Sequence, residues 1–209
     1  MAKVIIHNAR LSFPDLFEAK QFQGQGPFQF RSAFILDPEA SRATIVYSPT
    51  EKKEGNAIKV FNKVLAEVAA EKWGAKAEGF LKAAMAAGSQ KCCFYDGDTK
   101  SYNGYAGNWI VSATRNQNDG APMVVDRNKR PLTAKDGKLY SGCYVNGTVE
   151  IWAQSNEFGK ALRATLVNVQ FAGDGESFGG AAPATANDLD DLGYDGDDDI
   201  DGSDNDDLG

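Results

Sequence analysis

The chain of 209 residues holds one histidine, three cysteines and no lysine or arginine beyond Arg163. Each scarcity removes a class of chemistry. With His7 alone, neither a serine–histidine–acid triad nor a multi-histidine metal site can be assembled within one chain, and catalysis loses its commonest general base. Cys92, Cys93 and Cys143 cannot complete a disulfide framework, and an adjacent pair plus one distant thiol lacks the spacing of a zinc site. They are expected to fill the core. No G-x-x-x-x-G-K-[S/T] loop is present, so nucleotide hydrolysis has no support. Long apolar runs are missing too. Met1 to His7 carries three large apolar residues, short of the roughly 7–15 of a secretory segment. The longest uncharged run, Ser101 to Thr114, is interrupted by Asn and Gly and falls short of the ~20 apolar residues of a membrane helix. A soluble cytoplasmic protein without cofactor or metal ion is the expectation.

What is present is a charge split. The formal charge is −7, yet 13 of the 29 acidic residues fall between Asp174 and Gly209, leaving residues 1–173 with 22 basic against 16 acidic groups. Salt screens charges over about 8 Å, so a basic body and an acidic tail act as separate objects. From Gly173 onward the composition turns to Gly, Ala, Asp, Asn and Ser, which cannot bury enough apolar area to offset ordering entropy. The division expected is a domain over 1–175 and a disordered acidic tail over 176–209.

Within the body, Lys3 to Phe13 and Phe28 to Leu36 read as strands, the second alternating Phe28, Phe30 and Phe34 against Gln29, Arg31, Ala33 and Ile35. Ser48-Pro49-Thr50-Glu51 matches a capping box with Pro at the first helical position. It predicts a helix running to Trp73 on Ile58, Phe61, Leu65 and Val68. Ala77 to Ala87 predicts a second helix, stopped by Gly88. Further strands are expected at Gln90–Tyr95, Asn108–Arg115, Pro122–Asp126, Gly142–Trp152 and Lys160–Phe171. Strands on both sides of one helical insertion suit a small antiparallel barrel, with a β-sandwich as the rival.

Cations interleaved with aromatic residues are what single-stranded nucleic acid demands, the former for phosphates and the latter for exposed bases. Strand parity places Trp109 with Arg115 on one sheet face, and Tyr144 with Trp152 on another. Arg127, Lys129 and Arg130, followed by Lys135 and Lys138, form a cationic loop beside them, and Tyr105 adds a ring. The candidate DNA-binding residues are therefore Tyr105, Trp109, Arg115, Arg127, Lys129, Arg130, Tyr144 and Trp152. Two rivals remain: a metal-dependent nuclease built on Asp96, Asp98 and Asp126, and a barrel that binds only protein. Each of those aspartates is also an ordinary turn residue. In the tail, Asp197 to Ser203 copies the start of a calcium loop, but Leu208 stands where the bidentate Glu belongs.

Four segments in order, Val124-Val125-Asp126-Arg127-Asn128, Tyr140 to Asn146, Leu166 to Gln170 and Asp174 to Gly180, together with the strands Val4–Leu11 and Phe28–Asp37, resemble a phage family once catalogued as a domain of unknown function. The resemblance spans about residues 3–180. It departs at Gly159-Lys160-Ala161, where the family pattern has Gly-Lys-Gly. It implies an OB-type barrel and sequence-nonspecific binding of single-stranded DNA in phage replication or recombination, within the host cytoplasm and without catalysis. The tail is similar to those by which single-strand binders recruit replication and repair enzymes. Its candidate partner-binding residues are Asp197, Asp198, Asp199, Ile200, Asp206, Asp207 and Leu208, although the terminal aromatic residue of such tails is replaced by Leu208-Gly209. The tail is also expected to fold back and compete with DNA. A homo-oligomer is left open.

Overall fold

The computed structural model describes residues 1–22, 24–157 and 159–179. Among these residues, nine strands and two α-helices follow in the order β1 (Ala2–Phe22), β2 (Gln25–Leu36), β3 (Arg42–Val46), β4 (Lys52–Asn56), α1 (Ala57–Trp73), α2 (Ala77–Ala86), β5 (Phe94–Asp96), β6 (Trp109–Asn116), β7 (Met123–Val125), β8 (Tyr144–Asn156) and β9 (Gly159–Gly173). Five of the strands close on themselves. β1 pairs with β2, β2 with β6, β6 with β9, β9 with β8, and β8 with β1 again. A five-stranded ring with this helical insertion is the OB-type architecture. The expected antiparallel pairing holds at every seam of the ring but one, because β6 meets β9 in parallel through the Thr114–Thr165 bridge.

β1 is long enough to serve three partners because it bends. Irregularities between Ile6 and Ala9 and between Ser12 and Asp15 coincide with left-handed backbone at Asn8 (φ 49°) and Phe13 (φ 50°). Bulges of this kind sharpen the twist a small barrel needs.

Alternate apolar positions of the strands point inward. Val4, Ile6, Leu11, Phe34, Leu36, Val149, Ile151, Leu166 and Val169 are buried together, and α1 closes one end with Val60, Phe61, Val64, Leu65 and Val68. Phe61, Phe94 and Trp109 form a continuous stack, with centroids 5.3 Å and 4.6 Å apart. A smaller cluster of Ala33, Ile35, Tyr95, Tyr105 and Ile110 lies on the opposite face of β2 and β6. All three cysteines are buried and free.

Two expectations are corrected. Ser48 to Glu51 does not start a helix: Tyr47 and Ser48 N–H groups donate to Glu51 O, and Ser48 Oγ accepts from Glu51 N, so the segment turns β3 into β4. The helix begins only after Asn56, whose side chain accepts from Lys59 N–H at 3.2 Å. The domain boundary expected at 176 also moves, because Glu176 and Phe178 are bonded to the body through Arg10 and Ser141. Tail residues 180–209 lie outside the described residues. No helix among those described is long and apolar enough to cross a membrane.

β8 crosses the core where a Cβ on Gly147 would run into the Phe34 ring. Gly147→Ala is therefore expected to cost about 1–3 kcal/mol through overpacking, and Phe34→Ala about 3–5 kcal/mol through a cavity. Urea denaturation measures both, and the double variant Gly147→Ala/Phe34→Leu should be more stable than the sum of its singles predicts. Burial pushes the Cys143 thiol up to about 11, against about 8.5 in an unfolded chain. Above that lower value the unfolded chain releases a proton that the folded one keeps. This contribution to stability is complete below about pH 8.5 and is lost as pH rises toward 11; urea midpoints across that range should fall less in Cys143→Ala than in the parent.

Candidate nucleic-acid interface

The outer face of β1, β2 and β6 is built from rows fixed by strand register. Ser12, Ala33 and Ser112 form one row, Asp15, Arg31 and Thr114 the next, and Lys20, Gln29 and Asn116 a third. The segment after β5 lies across the first of these. Its path is held by Gly97 N–H donating to Asn108 O at 2.8 Å and Gly107 N–H donating to Asp98 Oδ1 at 2.7 Å.

That segment delivers an aromatic cluster. Tyr105 is 1% exposed, whereas Tyr102 is 51% and Phe13 45% exposed. Phe13 meets Tyr102 edge-on at 4.9 Å, and both lean on Tyr105, at 6.4 Å and 5.3 Å. A bulky residue with positive φ is strained, and at Phe13 the strain turns the ring out of the pleat toward solvent. Burial holds the Tyr105 hydroxyl well above its usual range, so it stays neutral. Farther along the β1–β2 arm, Asp15 pairs with Lys20 at 2.7 Å and Arg31 at 3.4 Å, leaving a net positive charge.

On the other side of the cluster stands Arg10, with a strap formed by residues 174–179 laid over it. Arg10 Nε donates to Gly142 O at 2.5 Å and Nη2 donates to Glu176 O. Its guanidinium lies 4.4 Å from the Phe178 ring and 5.1 Å from the Tyr144 ring. Tyr140 Oη donates to Gly175 O and accepts from Gly175 N–H, both at 3.0 Å, while Phe178 N–H donates to Ser141 O. Gly142, at φ 113°, lets the strap approach so closely that a Cβ there would strike Glu176 O.

The residues expected from sequence divide. Tyr144 lies beside Arg10. Tyr105 belongs here as well, but as the floor: a ring with no exposed face cannot stack on a base, and that expectation is corrected. Trp109 and Arg115 share a face as parity demands, yet it is the inner one. Trp109 is stacked on Phe94, and the Arg115 guanidinium is spent on Gly120 O, Asp119 O and Leu166 O. Trp152 faces outward, its Nε1–H donating to Thr165 Oγ1. Eight residues from Tyr144, about 27 Å along an extended strand, it belongs to a different part of the surface. Arg127, Lys129 and Arg130 are exposed on the turn after β7, and Arg127 Nε donates to Ala172 O, beside the Gly173 that pairs with Tyr144. Arg127 thus borders the Arg10 site, and the other two extend from it.

Asp96, Asp98 and Asp126 each accept backbone N–H groups in turns, and no three metal-ligating side chains converge among the described residues. The sequence reading missed Arg10, Phe13, Tyr102, Arg31 and Phe178. Phe178 lies inside the Asp174–Gly180 segment of the resemblance, Arg10 inside Val4–Leu11 and Arg31 inside Phe28–Asp37, whereas Phe13 and Tyr102 lie outside every such segment.

Both the sequence and the fold have known relatives. The chain aligns with "Putative protein p50" of Acyrthosiphon pisum secondary endosymbiont phage 1 at 41% identity over 190 residues, 91% of this chain and 94% of that one. In fold it is similar to the single-stranded DNA-binding protein from bacteriophage Enc34 in complex with ssDNA, with a TM-score of 0.63 at 19% identity over 85% of this chain and 89% of the other. It is also similar in fold to gp2.5, a single-stranded DNA-binding protein encoded by bacteriophage T7, with a TM-score of 0.50 at 12% identity over 93% and 98%. Residues 2–201 match the family model described as Enterobacter phage Enc34, ssDNA-binding protein, and the chain belongs to that family of phage single-stranded DNA-binding proteins.

Proposed function

We propose that this protein coats single-stranded DNA during phage replication or recombination in the host cytoplasm, without reading a sequence motif and without catalysis. The observation that carries this reading is the exposed Phe13–Tyr102 pair set between Arg10 and Arg31 on the outer face of the ring. Open rings stack on bases of any kind, and flanking cations follow the phosphates. Arg127, Lys129 and Arg130 extend the phosphate path past Tyr144. The acidic tail, through Asp197 to Ile200 and Asp206 to Leu208, recruits partner enzymes and competes with DNA for the same cations.

Anisotropy titration of a labelled oligonucleotide, single-stranded against duplex over a salt series, tests the reading. Single strands should bind preferentially, with a log–log salt slope of about −0.7 per phosphate contacted. Phe13→Ala and Tyr102→Ala should each lose about 1–3 kcal/mol of affinity at unchanged thermal stability. Absence of binding would promote the protein-interaction reading. Truncation after Gly179 should tighten DNA binding at low salt and abolish partner recruitment; equal affinity with and without the tail removes the competition claim.

A further inference from the structure

Where the helical insertion meets β9, the surface opens into a cavity of about 200 Å³ lined by Trp73, Phe80, Ala83, Ala84, Lys91 and Lys160. None of these residues belongs to the proposed DNA face. The volume is below the roughly 300–1,000 Å³ of small-ligand sites, so the cavity suits a side chain rather than a cofactor. Trp73 ends α1 and meets Phe80 of α2 edge-on at 5.5 Å, and Lys160 Nζ stands 3.4 Å from the Phe80 ring centroid. A ring capped in this way offers no open plane for a base on that side. Two ring systems, two alanines and two lysine stems make instead an apolar slot with cations beside it. The indole Nε1–H of Trp73 is buried without a hydrogen-bond partner among the described residues, a donor that the folded body leaves unmet.

Charge sets the sign of the ligand. Residues 72–91 hold Lys72, Lys76, Lys82 and Lys91 against Glu78 alone, and Lys160 adds another cation on the cavity wall. The slot therefore fits a bulky aliphatic side chain flanked by carboxylates. This chain carries one: Ile200 follows Asp197-Asp198-Asp199 and precedes Asp201, within a stretch from Gly180 onward that has eleven aspartates and no cation. The 21 residues from Gly180 to Ile200 extend to about 70 Å, against roughly 60 Å for half the circumference of a body of this size. The cavity is within their reach.

We propose that this cavity docks the acidic tail of the same molecule, with Ile200 against Trp73 and Phe80 and with Asp197 to Asp199 facing Lys91 and Lys160. Exposed ion pairs are weak singly, so the apolar seat fixes the position and the carboxylates add to it. Docking hides Ile200, and a partner enzyme that reads this part of the tail has to displace it from the cavity first. Asp188, Asp190 and Asp191 lie between the strap and this anchor and remain available to the cations of the proposed DNA face. The docking itself does not rest on the single-strand reading.

The test uses the full chain labelled with ¹⁵N-tryptophan, in which Trp73→Phe identifies the indole N–H signal of Trp73. The variant Asp197→Asn/Asp198→Asn/Asp199→Asn/Ile200→Ser removes the docking peptide. It should move the Trp73 signal and leave those of Trp109 and Trp152 in place, by the same amount at every protein concentration. A synthetic peptide of residues 195–209 added to that variant should return the Trp73 signal toward its parent position. Lys160→Glu in the same background should weaken the peptide about 5-fold, an ion pair exchanged for a repulsion. A Trp73 signal identical in parent and tail variant overturns the proposal, as does a peptide affinity untouched by Lys160→Glu. A shift that depends on protein concentration also overturns it and assigns the cavity to the tail of a second copy. No DNA is present, so the outcome is separate from that of the single-strand reading.

Discussion

The ring closes through one residue. Arg10 stands opposite Tyr144 on β8 and opposite Ile35 on β2, so it is the point at which β1 leaves one neighbour for the other. A strand that changes partners must bend, and Asn8 and Phe13 absorb the bend in left-handed backbone on either side of it. The same bend sends Phe13 outward and leaves the Arg10 guanidinium at the seam. Closure of the ring and construction of the proposed binding face are thus one event, and the strap completes it by bonding to that guanidinium.

How much of this was legible in the sequence depended on whether the deciding contact was local. Alternation in β2 grouped Phe28, Phe30 and Phe34 on one side; Phe30 and Phe34 are buried there, but Phe28 is exposed and Ala33 and Ile35 opposite are buried as well, whereas the run from Ile58 to Val68 did mark the buried side of α1. Ser48 to Glu51 misled because its side-chain pattern serves a hairpin as well as a helix start: the hydroxyl that would cap N–H groups of a first turn here accepts from Glu51 in a reversal of the chain. The strand Arg42–Val46 went unseen between two loops, having only Ile45 and Val46 as large apolar residues.

The binding face was harder to read for a physical reason. Parity reports which residues share a face but not which face is inside, and in β6 the Trp109–Arg115 face turned out to be the inner one. Parity also fails across bulges, and Phe13 lies in one while Arg10 stands between two. Tyr102 and Tyr105, three residues apart in one irregular segment, have no periodicity to separate the exposed ring from the buried one; the packing of β2 against β6 does that. Phe178 lay inside a recognisable segment whose composition looked like the start of the tail, and only the fit of Gly142 and Gly104 against the strap reveals that it belongs to the body.

The arrangement of Phe13 and Tyr102 on Tyr105 bears on binding entropy. A side chain that wanders in solvent must be stilled when it stacks on a ligand, at a cost of about 0.5–1.5 kcal/mol. These two rings hold each other edge-on above a floor that belongs to the core, so most of that ordering accompanies folding rather than encounter. In the proposed function, the platform stands ready before a strand arrives. Its grip is consequently coupled to the firmness of the protein beneath, and a change that merely loosens the floor weakens the hold on a strand it never touches.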